Sequence, residues 1–413
     1  MTDIKKISAV VLALALALLM VFPFGASADE EVSSPDAGFV NVEDFGALGS
    51  DQKDDFAAFE AALKTGKNLY VPTGTFMLSK PLIIEDRILR GVGSAASGLR
   101  GIGDKDIPIV IVKGRSFVSD LQFSFRPQDI AADEAMGQRV ALQVGDKERG
   151  LEAGSELRNL FFDRVGTAIY SPAEAKPAKG VLFDTLEVQH YSYRGVDMQS
   201  LGRSGNTYSN IYINDQALYK LTSAGFALEG SEFGPVLGQI NIEHGSMLSG
   251  IIFKNVKGFT AGAIHIEGVA ISQNDMGSIY AENSTGYIAN LTHILNFIRC
   301  YNTSLIRLGD GDGKIVVGNI NLRGVNQPDE GLFSNIPEWM EELGSMSNRG
   351  LKTPQAKSFV VFERDKAARG DYGIVYENYG FYSYHEDEYD FWQSLPTRGN
   401  ITVEKYENGG DGE

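Results

Sequence analysis

Most of the chain consists of short runs in which apolar and polar residues alternate, separated by glycine, asparagine, aspartate and serine. Such runs are typical of short β-strands with one buried face. Helical periodicity is confined to two places. Residues 54–63, DDFAAFEAAL, place four apolar side chains on one face, and residues 336–343 form a shorter run with similar spacing. The pattern therefore predicts an all-β protein with an amphipathic helix near its N-terminus.

Eight of the alternating runs share one register. They begin at residues 120, 159, 185, 210, 239, 268, 290 and 319, so the first step is 39 residues and the later steps are 22 to 29. The second and fourth positions of the runs are mostly apolar, which predicts that these side chains face inward and their neighbours outward. One strand motif per repeat predicts a single-stranded parallel β-helix, a solenoid with about one coil per repeat. A β-sandwich or propeller is the alternative, but a sandwich would not naturally hold one register over seven steps.

Charge and cysteine content restrict the class of protein further. The net charge is −17, which speaks against a nucleic-acid partner and against binding to anionic membrane surfaces. Cys300 is the only cysteine, so an internal disulfide is excluded.

The first 28 residues have the organisation of a secretory signal peptide. Lys5 and Lys6 form a basic region, residues 7–22 are almost wholly apolar, and Ala26-Ser27-Ala28 provides small residues at a cleavage site. A membrane anchor is the alternative, but the apolar run is short for a membrane span. We expect cleavage after Ala28 and a secreted, extracellular protein without a membrane span in its mature part.

Residues 39–93 carry a set of motifs in a fixed order. They are Asp44-Phe45-Gly46-Ala47, Asp54-Asp55, Val71-Pro72-Thr73-Gly74-Thr75-Phe76 and Leu89-Arg90-Gly91-Val92-Gly93. This segment resembles the opening of pectate-lyase-superfamily proteins, including pectate lyase 3-like and tailspike-like members. The resemblance implies a right-handed parallel β-helix whose N-terminal end is capped by the predicted helix. Its members include polysaccharide lyases, glycoside hydrolases and phage tailspike-like depolymerases, and the tailspikes allow a trimer as oligomeric state.

The sequence patterns divide the chain into four predicted parts. Residues 1–28 are the signal peptide, 29–325 the parallel β-helix domain, 326–357 a connecting segment and 358–413 a strand-rich C-terminal cap or tail. A cap is expected because an open β-helix end would otherwise pair with another chain.

Equivalent positions of successive coils stack about 4.8 Å apart, so the shared register predicts a polar strip along the helix axis. Two of the five histidines share one position of this register. The candidate catalytic residues are Asp215, Glu243 and His244. The candidate substrate-binding residues are Arg164, Glu187, Gln189, His190, Tyr212, Asn214, Asn241 and Gln273. A polar strip is also what any solvated strand face would show, so the strip alone does not establish a site.

Two reactions suit this strip. Hydrolysis would use Asp215 and Glu243 as a carboxylate pair. Elimination at a uronate would use His244 or His190 as base, with an arginine or Ca²⁺ neutralising the substrate carboxylate. The sequence requires no cofactor and assigns no metal ligand; Ca²⁺ enters only for a lyase.

The leading hypothesis is therefore a secreted depolymerase, either a glycoside hydrolase or a polysaccharide lyase, that binds an extended extracellular polysaccharide. A non-catalytic glycan-binding or cell-surface structural protein is the alternative, and a uronate epimerase is a third. Two further histidines are assigned away from the strip: His265, with Glu267, to another part of a coil as a packed residue, and His293 to the core.

Overall fold

The computed structural model describes eleven segments of the chain. They are residues 38–104, 106–126, 139–200, 205–214, 222–271, 276–295, 304–324, 360–364, 368–383, 397–398 and 401–405. These segments contain a short 3₁₀ helix, Val42–Phe45, one α-helix, α1, Phe56–Lys64, and 23 strands.

The first ten strands lie before residue 172. They are β1 Phe39–Asn41, β2 Asn68–Val71, β3 Gly74–Leu78, β4 Leu82–Glu85, β5 Ile88–Gly91, β6 Ser97–Gly101, β7 Val110–Lys113, β8 Phe117–Phe125, β9 Val140–Val144 and β10 Glu156–Ser171. The remaining strands are β11 Leu182–Met198, β12 Thr207–Asn214, β13 Thr222–Phe233, β14 Val236–Lys257, β15 Phe259–Ile271, β16 Ile279–Glu282, β17 Gly286–Leu295, β18 Ser304–Leu308, β19 Gly313–Gly324, β20 Val360–Arg364, β21 Tyr372–Ser383, β22 Thr397–Arg398 and β23 Thr402–Lys405.

These strands form a parallel β-helix, which confirms the predicted fold class. Each strand pairs in parallel with its equivalent one coil away. The longest stack runs through β1, β2, β5, β8, β10, β11, β12, β14, β15, β17, β19, β21 and β23. A second stack runs from β4 through β7 and β9 to β20 and β22, sharing the long strands β10, β11 and β14.

The predicted register is correct for the first five runs and wrong for the sixth, which begins at residue 268. Leu121, Leu160, Leu186, Ile211 and Ile240 occupy successive rungs, as expected. The prediction that Val269 follows is wrong.

Ile264 is the residue on the next rung, and it pairs with Ile240 on one side and Leu291 on the other. The runs AIHIEG and GVAISQ both alternate, so alternation alone could not choose between them. The structure places the first run, and the second as far as Ile271, in the single strand β15, where Val269 lies opposite Gly245.

The inward side chains form a continuous apolar core along the axis. Ile240, Ile242, Ile264 and Ile266 are all at most 1% exposed. Aromatic rings stack between coils in the same way, as with Phe123 and Phe162, whose ring centroids are 5.2 Å apart and whose planes differ by 16°. Each coil therefore buries its apolar positions only against its neighbours.

On four successive rungs, the residue before the inward aliphatic at the second position interrupts the extended backbone within its strand. Asp120, Asn159, Thr185 and Asn210 all have left-handed backbone conformations, with φ of 61°, 51°, 52° and 52°. Asparagine and aspartate tolerate this region better than most residues. The Asn159 amide also donates to the Asp120 carboxylate at 2.7 Å, which ties one of these positions to the next.

The helix predicted near the N-terminus is confirmed as α1. Its buried Phe59 contacts Phe76 of β3 edge to face, with ring centroids 5.8 Å apart. The Asp55 carboxylate, just before the helix, accepts backbone hydrogen bonds from Leu48 and Met77 at 2.8 and 2.9 Å. The helix is thus fastened to the first coils.

Several predictions concern residues that the structure does not describe. The signal peptide (1–28), the connecting segment (326–357) and the second helix (336–343) lie outside the described residues and stay predictions. Within the predicted cap, β20 and β21 pair in parallel with β18 and β19, so the stacking continues there. Among the described residues, no helix has the length and apolarity needed to cross a bilayer.

The corrected register predicts which side chain of β15 supports the core. Because Ile264 is buried between Ile240 and Leu291, Ile264→Ala should lower the free energy of unfolding by about 2–5 kcal/mol. Thr260→Ala, at an exposed position of the same strand, should change it by less than about 0.5 kcal/mol. Denaturant unfolding measures both, and equal effects would contradict the register.

Candidate functional site

The candidate site lies on the outward face of the longest stack. Two columns of side chains project there, one on each side of the inward aliphatic at the fourth position of each run. The first column is Glu187, Tyr212, Asn241 and His265, and the second is Gln189, Asn214, Glu243 and Glu267. We refer to these eight residues as the polar strip.

Tyr212 and Glu243 form the central contact of the polar strip. The Tyr212 hydroxyl donates to Glu243 Oε2 at 2.9 Å and accepts a hydrogen bond from Asn214 Nδ2 at 3.0 Å. Burial, together with the hydrogen bond to the Glu243 carboxylate, raises the pKa of Tyr212. The phenol is therefore held as a neutral donor that fixes one oxygen of Glu243 and leaves the other, Oε1, available.

His265 lies between two carboxylates on neighbouring coils. Its Nε2 is 3.0 Å from Glu267 Oε2 and 4.0 Å from Glu243 Oε1. One ligand atom from each of the three residues lies within 4.8 Å of the other two. All three side chains are partly exposed, so a solute could reach them.

The assignment of His265 and Glu267 to another part of a coil, with His265 as a packed residue, was wrong. Both belong to the polar strip, because Ile264 and Ile266 are the inward residues of their rung. The spacing could have indicated this: a run starting at residue 263 lies 24 residues after residue 239 and 27 before residue 290, which fits the period better than steps of 29 and 22.

A second polar cluster forms around Asp163, three rungs before Glu243. His190 Nδ1 is 2.7 Å from Asp163 Oδ1, and Arg164 donates to the other oxygen of the same carboxylate. Asp163 is only 8% exposed. Arg164 and His190 are thus brought together by the Asp163 carboxylate, at a distance of three rungs from Glu243.

Some of the remaining predicted residues belong to the polar strip, and the others lie outside the residues that the structure describes. Gln189 Nε2 donates to Glu187 Oε1 at 2.5 Å, and Asn241 accepts a hydrogen bond from Gln239 at 3.3 Å. Asp215 and Gln273 lie outside the described residues, as does the side chain of His244, whose backbone belongs to β14. Their proposed roles stay predictions.

His293 faces inward, as predicted. It is 2% exposed, and its Nε2 lies 3.1 Å from the Ser278 hydroxyl. Burial, with a smaller contribution from nearby His265, lowers the pKa of His293 to about 3. The core under the polar strip therefore holds a neutral imidazole.

The fold and the outward strip define a class: a parallel β-helix with a polar, carboxylate-rich surface along its axis. Residues 39–216 match the family model described as rhamnogalacturonase A/epimerase, pectate lyase-like. The resemblance seen in the N-terminal motifs is thereby confirmed over that segment of the chain.

Solved structures with the same fold include a phage tailspike and a catalytic domain. The gp42 tailspike of Acinetobacter phage vb_AbaP_AS12 is 12% identical, with a TM-score of 0.56, and the alignment covers 91% of this chain and 64% of the tailspike. The Agl-KA catalytic domain is 17% identical, with a TM-score of 0.52, and the alignment covers 90% and 69%. At these identities the similarity shows the fold alone. No curated protein matches the chain.

The buried neutral His293 predicts a pH dependence of stability. The folded-state pKa is below the ordinary 6.5, so the unfolded state binds the proton more tightly and the stabilisation is lost as pH falls below about 6.5. Between pH 7 and pH 4 the wild type should lose about 3 kcal/mol more than His293→Gln does. Denaturant unfolding at a series of pH values measures the difference, and parallel curves for the two proteins would contradict it.

Proposed function

We propose that the protein is a secreted polysaccharide depolymerase of the hydrolytic type, with its reaction centre at Glu243 and Glu267. The observation that carries the proposal is the pairing of these two carboxylates on neighbouring coils, with ligand atoms within 4.8 Å and His265 between them. The match to a pectate lyase-like family model over residues 39–216 supports a polysaccharide as substrate.

The hydrogen bonds suggest different roles for the two carboxylates. The Tyr212 hydroxyl donates to Oε2 of Glu243, which holds this carboxylate in place and directs Oε1 toward His265. Glu243 is then the nucleophile or base, and Glu267, in contact with His265, is the acid. The separation is nearer to the about 5–5.5 Å of retaining enzymes than to the about 6.5–9.5 Å of inverting ones, so retention of configuration is expected.

Elimination fits the described residues less well. A lyase must neutralise the substrate carboxylate, and Arg164, the arginine predicted for the strip, is bound to Asp163 three rungs away from Glu243. A uronate epimerase would meet the same difficulty. Bound Ca²⁺ could replace the arginine, and activity that required Ca²⁺ and produced unsaturated uronates would favour the lyase.

The rest of the polar strip provides contacts for an extended chain. Glu187 and Gln189 on one rung and Asn241 two rungs further along present amide and carboxylate groups suited to sugar hydroxyls, with successive rungs about 4.8 Å apart. A strip of this kind would also bind a glycan without cleaving it, which is the non-catalytic alternative.

The proposal predicts that two conservative substitutions abolish turnover. Glu243→Gln and Glu267→Gln each remove an ionisable carboxyl while keeping its size, and each should lower the rate of reducing-end formation by at least about 100-fold. Glu156→Gln, on the same sheet beside Arg158, provides a matched control and should leave the rate unchanged. The assay uses a panel of neutral and acidic polysaccharides.

Three results would separate the possibilities. Full activity of Glu243→Gln or Glu267→Gln would place the chemistry elsewhere, and Asp215→Asn would then test the pair predicted from the sequence. New ultraviolet absorbance from unsaturated uronates would indicate elimination. Glycan binding in a pull-down assay without any new reducing ends would favour the non-catalytic alternative.

A further inference from the structure

Glu243, His265 and Glu267 have the composition of a metal site as well as of an acid–base pair. Two carboxylates and one imidazole present Oε1, Oε2 and Nε2 from adjacent strands of a rigid parallel stack. Among the described residues, no other group of three histidine, cysteine, aspartate or glutamate side chains brings its ligand atoms within 4.8 Å of one another. None of these residues is predicted from the sequence to be a metal ligand.

The hydrogen bonds around Glu243 hold its carboxylate in the orientation expected of a metal ligand. Carboxylates that bind metals usually have their second oxygen held by a hydrogen bond. Tyr212 donates to Oε2 of Glu243, and Asn214 donates to Tyr212, so Oε1 is the oxygen directed at His265.

Asn214 adds an independent observation. It is 8% exposed, lies directly in register with Glu243, and has an amide oxygen that finds no hydrogen-bond partner among the described residues. A buried acceptor of this kind is unusual in the absence of a bound water or ion.

We propose that these three residues bind a first-row divalent transition metal such as Zn²⁺. Imidazole nitrogen suits Zn²⁺, whereas Ca²⁺ prefers a shell of six to eight oxygens. Three protein ligands on an open surface leave at least one coordination position for water or a sugar hydroxyl. The ligand atoms lie 3.0 Å apart at the closest and all within 4.8 Å of one another, so rotation of the side chains would suffice to arrange them around an ion.

The metal site stands independently of the proposed hydrolysis, since metal binding is measured without polysaccharide. If both hold, they compete. A metal on Glu243 and Glu267 occupies the lone pairs that the acid–base pair needs, so Zn²⁺ would inhibit a depolymerase working through these residues.

The test is a calorimetric titration of the full chain, without a histidine tag and with Cys300→Ser to remove the only thiol. We expect one Zn²⁺ per chain, bound at least about tenfold more tightly than Ca²⁺. His265→Gln and Glu267→Gln should each weaken Zn²⁺ binding at least about tenfold, as should Tyr212→Phe through the orientation of Glu243. His190→Gln, which removes the histidine bonded to Asp163 on the same face, is the control and should bind Zn²⁺ normally.

Co²⁺ supplies a second readout, because its visible absorption reports the ligand set. His265→Gln should change that spectrum and His190→Gln should not. The proposal would be overturned by absence of Zn²⁺ binding in the parent protein, by unchanged affinity in both His265→Gln and Glu267→Gln, by loss of binding in His190→Gln, or by tighter binding of Ca²⁺. Metal binding without any polysaccharide cleavage would leave this proposal intact and overturn only the depolymerase.

Discussion

Parallel backbone pairing between successive coils is the interaction on which every other feature depends. It places Glu243 beside Asn214 of the preceding coil and beside Glu267 of the following coil, although these three residues are far apart in the sequence. The buried aliphatic ladder beneath the polar strip prevents slippage, because a shift by one residue would turn Ile240 and Ile242 to solvent. The chemistry of the surface is therefore specified by the packing of the interior.

The contact between Tyr212, Glu243, His265 and Glu267 shows what this architecture can assemble. Four side chains from three coils form two hydrogen-bonded pairs, Tyr212 with Glu243 and His265 with Glu267, and His265 Nε2 lies 4.0 Å from Glu243 Oε1. A proton and a divalent cation would be attracted to the same oxygens. The proposed acid–base and metal-binding roles of this group therefore exclude each other at any one moment.

Much of the fold could be predicted from the sequence, because the alternation of apolar residues and the repeat length each have a direct structural cause. The rungs at Leu160, Leu186, Ile211 and Ile240 followed from pattern alone. The rung at Ile264 did not, because β15 is long enough to carry two alternating runs and only backbone pairing selects between them. That one error removed His265 and Glu267 from the strip. Hydrogen bonds such as Tyr212 to Glu243 depend on side-chain direction, which periodicity does not encode.

The unbroken stack from β8 to β23 also bears on how such a surface can change in evolution. Gain or loss of one whole coil leaves every column aligned and alters the strip's length by about 4.8 Å, whereas insertion of a single residue within a strand exchanges its two faces. Asp120, Asn159, Thr185 and Asn210 share a left-handed backbone conformation and mark equivalent points on successive coils, between which a whole coil could be gained or lost. A protein of this design can change the length of its polar strip in discrete steps while Glu243, His265 and Glu267 keep their positions relative to one another.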